Sequence, residues 1–317
     1  MNKFALTGAA LVVALSASEA DAETRVTYKS AKSTSSYYQM AVQIAEAMKA
    51  GSKGGIIVTV EESQGSVQNV KEAAKRKGNY VFTTPPVLIK LAQKGIKMFK
   101  GKGKSYAKIR ALFPIPSLTM QYVVRADSGI KSFADLAGKD FIIGKGSFGA
   151  KEAAKNFKAF GLDGKVKLVN IELNAAVPAL KNGKVHGFAT AGSYPAPNII
   201  EAAAGTRVRV LSMTPDQVKT TKRTRIVIPA GTYPGIDTDT VTTSLPVAAY
   251  TTTEMDDATA YALTKTYWAE KAKMGGQHAW WNGVSAKMLG LMGGKLHAGA
   301  AKYYAEKGIA IPVSLKP

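Results

Sequence analysis

The sequence predicts an α/β protein of two lobes built on parallel sheets, and three observations carry that expectation. Short apolar strands alternate with helical patterns through most of the chain, the arrangement of βαβ units. A length of 317 residues is natural for two lobes that each bury a core. A hydrophobic fraction of 46% against 21% charged residues reads as folded rather than disordered.

The elements follow in order. Arg25–Lys29 reads as a strand, and Tyr37–Lys49 as a helix with Met40, Ile44 and Met48 on one face. Ile56–Glu61 is a β-branched strand, followed by a helix from Ser66 to about Arg76 and a short strand at Tyr80–Phe82. Pro86 suits the first turn of a helix that runs to Lys94. Ile109–Phe113 and Thr119–Arg125 are extended, and Asp140–Ile143 leads through a glycine-rich turn into a helix from about Gly149 to Phe160. The alternation continues with Val166–Val169, Ala175–Asn182, Val185–Ala189, Pro195–Ala204 and Val208–Leu211. In the last third, Arg225–Pro229 and Thr240–Tyr250 are extended and Asp256–Lys273 is a long helix. Gly275, Gly276, Gly293 and Gly294 then punctuate shorter helices ending at Lys307, which suits a helical cap on an α/β core.

The first 22 residues have the pattern of a secretory leader. Lys3 is basic, Phe4 to Ala17 is mostly apolar and uncharged, and Ala20-Asp21-Ala22 supplies the small residues of a cleavage site. An apolar stretch of about 14 residues is short of the roughly 20 needed to span a bilayer. The expected mature protein is exported to the periplasm. Cleavage after Ala22 removes one positive and two negative charges and moves the formal charge from +21 to +22. Such a surplus favours anionic partners, and export makes nucleic acid the poorest of these. The densest basic run, Lys97, Lys100, Lys102, Lys104, Lys108 and Arg110, has only Phe99 and Tyr106 as aromatics and reads as a solvated loop.

Several chemistries lack their residues. With no cysteine there is no disulfide framework, thiolate metal site or cysteine nucleophile. His186, His278 and His297 lie far apart with no ligand spacing, so neither metal nor cofactor is expected. Gly144-Lys145-Gly146 and Gly103-Lys104-Ser105 both fail the phosphate-loop pattern, whose first glycine is replaced by Lys139 and Met98. No GxSxG elbow occurs. His186 sits on an expected strand, a packing position. The reading is a binding protein and not an enzyme.

Three strand-to-helix turns carry glycine or hydroxyl residues at a helix start. They are Ser30-Ala31-Lys32-Ser33-Thr34-Ser35-Ser36, Ser63-Gln64-Gly65-Ser66 and Gly144-Lys145-Gly146-Ser147-Phe148-Gly149. Free amide N–H groups and the positive end of the helix dipole make each turn a carboxylate seat, although ordinary N-capping explains any one of them alone. Tyr37-Tyr38 opens a helix beside the first turn, so one ring is expected in the cleft and the other in the core. Tyr194 and Tyr233 stand before prolines in turns that present a phenol either to a ligand or to a structural hydrogen bond. Trp280-Trp281 reads as buried packing.

Four segments in order resemble one family over essentially the whole mature chain. Ser63-Gln64-Gly65-Ser66-Val67-Gln68-Asn69 is similar to its SxGSVxN segment, and the run from Val123 to Lys139 to its VVRxDSGIxSxxDLxGK signature. Gly144–Gly149 sits where a GxxGSG-like loop is expected, and Ile228–Gly235 resembles IPAGTYPG. These identify a resemblance to the TAXI solute-binding proteins of tripartite ATP-independent periplasmic (TRAP) transporters. The resemblance implies a type II, two-lobed clamshell that closes on a small organic anion, glutamate- or oxoacid-like, and delivers it to an ion-gradient-driven permease. Lobe 1 would be discontinuous, residues 23–118 plus 246–317, with residues 119–245 as lobe 2. The ligand set would be Lys32, Thr34, Ser35, Tyr37, Tyr38, Gly65, Ser66, Val67, Thr84, Lys145, Ser147, Tyr194 and Tyr233. The sequence departs from the family in the first turn, in Lys77–Thr84 and at His186. The bulkier, more polar first turn with Lys32, and Lys145 in the third, suits a strongly anionic ligand. A monomer is expected. The rival readings are an accessory or sensor protein with a diverged cleft, and a basic protein that adheres to the envelope surface.

Overall fold

The computed structural model describes residues 23–317; the leader expected at residues 1–22 lies outside them. The first third runs β1 (Thr24–Lys29), α1 (Ser36–Gly51), β2 (Ile56–Glu61), α2 (Ser66–Ala73), β3 (Tyr80–Thr84), α3 (Pro86–Gln93) and the long β4 (Ile109–Arg125). The middle is β5 (Asp140–Ile142), α4 (Phe148–Ala159), β6 (Lys167–Val169), α5 (Ala176–Lys181), β7 (Gly187–Gly192), α6 (Pro197–Gly205), β8 (Val208–Val210), α7 (Pro215–Thr221) and β9 (Thr224–Ile228). The chain ends with β10 (Thr240–Thr252), α8 (Asp257–Gln277), β11 (Lys295–Leu296) and α9 (Ala298–Glu306). Among the described residues no helix is long and apolar enough to cross a membrane.

The expectation of parallel sheets holds for the wings and fails at the centre. β2-β1-β3 and β7-β5-β6 are parallel, each strand feeding a helix. Between them β10 and β4 run antiparallel to each other and to their neighbours β3 and β7, giving the order β2-β1-β3-β10-β4-β7-β5-β6. β4 is therefore one strand of 17 residues, where two extended pieces were expected. Pro114 and Pro116 broke the strand pattern in the sequence, because proline gives no N–H to a ladder. The ladder tolerates them by irregularity: its register shifts between Leu245 and Val247, beside Pro246, and again between Ala249 and Tyr250.

Both faces of the sheet are covered, which is why its strands are near-continuous apolar runs. Met40, Ile44 and Met48 recur at helical spacing on α1 and are buried, and α1 packs against α8. Tyr267 of α8 stacks on Phe113 of β4 with centroids 3.9 Å apart, and its hydroxyl donates to the Pro114 carbonyl at 2.7 Å. In the middle third, Tyr122, Phe141 and Phe157 form one core. Val177, Leu180, Phe188, Ile199 and Ala202 form another on the opposite side. α8 runs past the expected end at Lys273 to Gln277, and its Gly275 serves a close approach, since a side chain there would strike Asn282. α7 was missed, although Thr214-Pro215-Asp216-Gln217 carries a full capping box with proline at the first helical position.

Candidate functional site

The three glycine- and hydroxyl-rich turns converge. A cavity of about 50 Å³ is walled on one side by Tyr37, Gly65 and Ser66, and on the other by Ile143, Ser147, Phe148 and Gly149. Leu118, Leu173, Ala189 and Ala191 close it with apolar surface. That volume holds roughly four ordered waters, so anything larger would need the walls to part. The closeness is seen at single atoms: a side chain on Gly146 would stand 2.5 Å from the Gln64 amide oxygen, and one on Gly65 would lie 3.9 Å from Ser147 Cβ.

Each turn is held by contacts its sequence supplies. Asn69, fully buried on α2, donates to the carbonyls of Ser30 at 2.6 Å and Thr83 at 3.0 Å, tying the first turn to the end of β3. The Ser63 hydroxyl donates to the Ser30 carbonyl at 2.9 Å and accepts from the Gly65 amide at 2.9 Å. In the third turn the Lys145 amide donates to the Ile171 carbonyl at 2.8 Å.

The three helix starts differ in what remains free. Ser35 caps α1, accepting from the Tyr38 amide, and Ser147 caps α4, accepting from the Ala150 amide at 2.9 Å while donating to the Gly144 carbonyl. Gly65 occupies the cap position of α2 and offers no side-chain bond. Its φ of 112° and ψ of −167° fall in a region open essentially to glycine alone. Gly65 and Ser66 both line the cavity, so the start of α2 borders it with no side-chain acceptor for its first amides, and the Ser66 hydroxyl has no protein partner among the described residues.

Charge gathers at the rim. Lys32 Nζ is 2.8 Å from a Glu172 carboxylate oxygen, and Gln64 Nε2 donates to the same carboxylate at 3.1 Å. Lys32 holds the Glu172 carboxyl below its ordinary range, and Ser33 does the same for Glu62, whose carboxylate accepts from the Ser33 amide at 2.6 Å. A row of charge-assisted bonds therefore spans the mouth from the first turn and Gln64 to the segment after β6.

Gly65, Ser66, Tyr37 and Ser147 line the cavity. The others stand apart from its walls. Among the described residues the sealed hydroxyl of Thr34 has no partner, nor has that of Thr84, fully buried at the end of β3. Tyr38 is half-buried on α1, Val67 is in the core, and Lys145 is exposed. Three expectations need correction. Lys32 is not a free cation, since Glu172 neutralises it. The hydroxyls of Ser35 and Ser147 serve their own helices. Tyr37 is a wall of the cavity, with its phenol donating to the Pro116 carbonyl at 3.0 Å and pushed by burial well above its ordinary range. Tyr233 is no wall, because it is 2% exposed with its hydroxyl held between Gln121 and the Ala196 amide.

Tyr194 lines a different groove of about 540 Å³, shared with Trp280, Pro116 and Thr119. Strand alternation on β4 sends Leu118 to the cavity and Ser117 and Thr119 to this groove. Trp281 is fully buried while Trp280 is half-buried, and both indoles donate to Gln43. His186 accepts from the Asp140 amide at 3.2 Å, a structural role. Glu172 was missed in the sequence because it belongs to no motif. Asn69 was quoted only as the end of one, with no part given to it.

The profile of the NMT1-like family matches residues 29–308. Among solved structures, the periplasmic binding protein BugD is similar with a TM-score of 0.58 at 12% identity, covering 92% of this chain and 99% of that one. A structure described as a periplasmic transporter gives 0.54 at 10% identity over 89% and 92% of the two chains. A protein from Bordetella bronchiseptica RB50 gives 0.50 at 19% identity over 92% and 86%. At these identities the likeness establishes the fold, that of the type II periplasmic binding proteins.

Proposed function

The chain belongs to the NMT1-like family, and on that premise we propose that it is an exported solute-binding protein that captures a small organic carboxylate between two lobes. The lobes are residues 23–118 with 246–317, and residues 119–245, joined where β4 and β10 pass Pro116 and Pro246. The observation that supports this reading best is the helix start left uncapped. α1 and α4 use Ser35 and Ser147 on their own amides, whereas Gly65 leaves the first turn of α2 open beside Ser66. A carboxylate there would meet backbone N–H groups, a hydroxyl and a favourable dipole.

Closure would exclude water and align Lys32, Gln64 and Glu172 across the mouth. A ligand drives that change only by binding the closed arrangement more tightly than the open one. The four ordered segments resembling TAXI proteins favour delivery to a TRAP permease. Uptake by the reconstituted pair would then need an ion gradient and no ATP.

The test is a thermal-shift screen of ligand-stripped protein against dicarboxylates, oxoacids, amino acids and sulfonates. A ligand at about 100 times its Kd stabilises by about 2.7 kcal/mol, a shift of several degrees. A carboxylate hit that persists in added salt supports the cleft, whereas a cooperative melt that no compound moves overturns the reading.

A further inference from the structure

The ligand cleft leaves most of the positive charge without a role, and the structure concentrates it. Between Glu72 and Asp127 the sequence contains no Asp or Glu, and none occurs between Glu270 and Glu306 or after Glu306. The fold brings these acid-free stretches together. A groove of about 560 Å³ runs between α3, the segment Leu291–Lys295 and the C-terminal Ser314-Leu315. Its floor is apolar, with Val87, Met292 and Leu315, and its rim carries Lys90, Lys94 and Lys295.

The basic run of residues 97–104 extends the same face. Its loop packs against the end of α3, where a side chain on Gly95 would stand 2.8 Å from the Gly103 amide nitrogen. Lys97, Lys100, Lys102 and Lys104 are exposed, and among the described residues none of the seven lysines pairs with a carboxylate. Three of the exposed large apolar side chains stand here too: Ile96 (43%), Leu291 (55%) and Val313 (80%). Unpaired lysines around protruding aliphatic groups suit neither a purely polar polyanion nor a purely apolar partner. They suit an anionic phospholipid surface, where headgroup phosphates meet the ammonium groups and the aliphatic tips reach the acyl boundary.

We propose that this face of α3 and the C-terminal segments docks the protein on an anionic phospholipid bilayer. The inference is independent of what the cleft binds. Docking confines the search for a membrane partner to a surface.

The test is co-sedimentation of the mature protein with phosphatidylglycerol–phosphatidylethanolamine vesicles and with pure phosphatidylcholine vesicles. Binding is expected to the first alone and to weaken with salt. Each surface lysine near such a membrane contributes about fivefold in partitioning, so Lys90→Glu, Lys94→Glu and Lys295→Glu together should lower it at least about a hundredfold. Lys151→Glu, Lys184→Glu and Lys219→Glu, exposed on the other lobe, change the net charge equally and should preserve most of it. Leu291→Ser with Val313→Ser should weaken vesicle binding and leave retention on a heparin column unchanged. Unaltered melting temperatures confirm that each variant is folded. Absence of vesicle binding, equal loss in the two charge-reversed sets, or indifference to the serine variants would each overturn the proposal, the last in favour of an acidic protein partner.

Discussion

Ser66→Ala and Ser147→Ala remove the same atom from opposite walls of one cavity, yet the structure assigns them opposite phenotypes. Ser147 Oγ accepts from the Ala150 amide and donates to the Gly144 carbonyl, both at 2.9 Å. Deleting a capping hydroxyl of this kind costs about 1 kcal/mol, equivalent to roughly 2–4 °C in melting temperature for a chain of this size. Ser66 Oγ has no protein partner, so its loss should move stability by less than about 0.5 kcal/mol. Affinity should reverse the order. A hydrogen bond to a carboxylate is worth about 1.5–3 kcal/mol, so Ser66→Ala should weaken binding of the anion found in the screen by roughly 10- to 150-fold. Ser147→Ala should weaken it only as far as the third turn loosens. Urea unfolding gives the first quantity and calorimetric titration the second. Full affinity in Ser66→Ala would refute the uncapped start of α2 as the carboxylate seat. Unchanged stability in Ser147→Ala would refute the capping assignment.

Other expectations follow from named contacts. Asn69→Ala should cost about 2–3 kcal/mol in urea unfolding, because the Ser30 and Thr83 carbonyls lose a buried donor, and anion affinity should fall with the displaced first turn. Gly65→Ala should cost about 1–3 kcal/mol, since its backbone conformation excludes a Cβ. Glu152→Gln should lower the melting temperature by about 5 °C, because Arg223, bound at 3.0 and 2.8 Å, loses a carboxylate that is nearly buried. His297 supplies a pH dependence. Burial pushes its pKa down, its Nδ1 accepts from the Gly299 amide at the start of α9, and Nε2 lies 3.0 Å from the Met255 carbonyl. The unfolded chain takes up a proton near pH 6.5, before the folded one does. The stabilisation is therefore complete above about pH 6.5 and is lost as pH falls through the window below it. His297→Asn, which caps without titrating, should flatten that slope in urea titrations at several pH values.

What the sequence made legible was local periodicity. Met40, Ile44 and Met48 fixed the buried face of α1, and the β-branched run Ile56–Glu61 marked a strand, because burial on one face leaves a repeat in the order of residues. Of the two central strands, β10 was legible as a single extended run, Thr240–Tyr250, whereas β4 was not legible as a unit. Pro114 and Pro116 weaken the local strand signal of β4, and only pairing between residues far apart in sequence restores it. The turns were recognisable from glycines and hydroxyls, but the use of each hydroxyl was not. Ser35, Ser66 and Ser147 look alike in sequence, and the difference lies in whether an amide of the same helix faces the oxygen. Tyr194 and Tyr233 occupy similar X-Pro turns, yet one opens on a groove and the other is sealed in a core. Side-chain direction at a turn depends on packing from β4 and β9 that no short window contains. Glu172 reaches the cleft because β6 ends opposite the first turn, a fact of topology.

The paired central strands also determine what kind of motion is mechanically soft. β4 and β10 are bonded edge to edge over residues assigned to both proposed lobes, with Ser244 opposite Thr119 and Thr252 opposite Ile109. Two such strands behave as a leaf spring, compliant to bending and twisting out of their plane and stiff against sliding along their length, since sliding would break the ladder at every rung. The prolines remove rungs at only a few places and so locate the flexure within a few residues. In the proposed clamshell, opening would reduce to little more than one angle, with the Lys32–Glu172 contact out on the lever arm. A bend at the spring would be magnified at the mouth in proportion to the length of that arm.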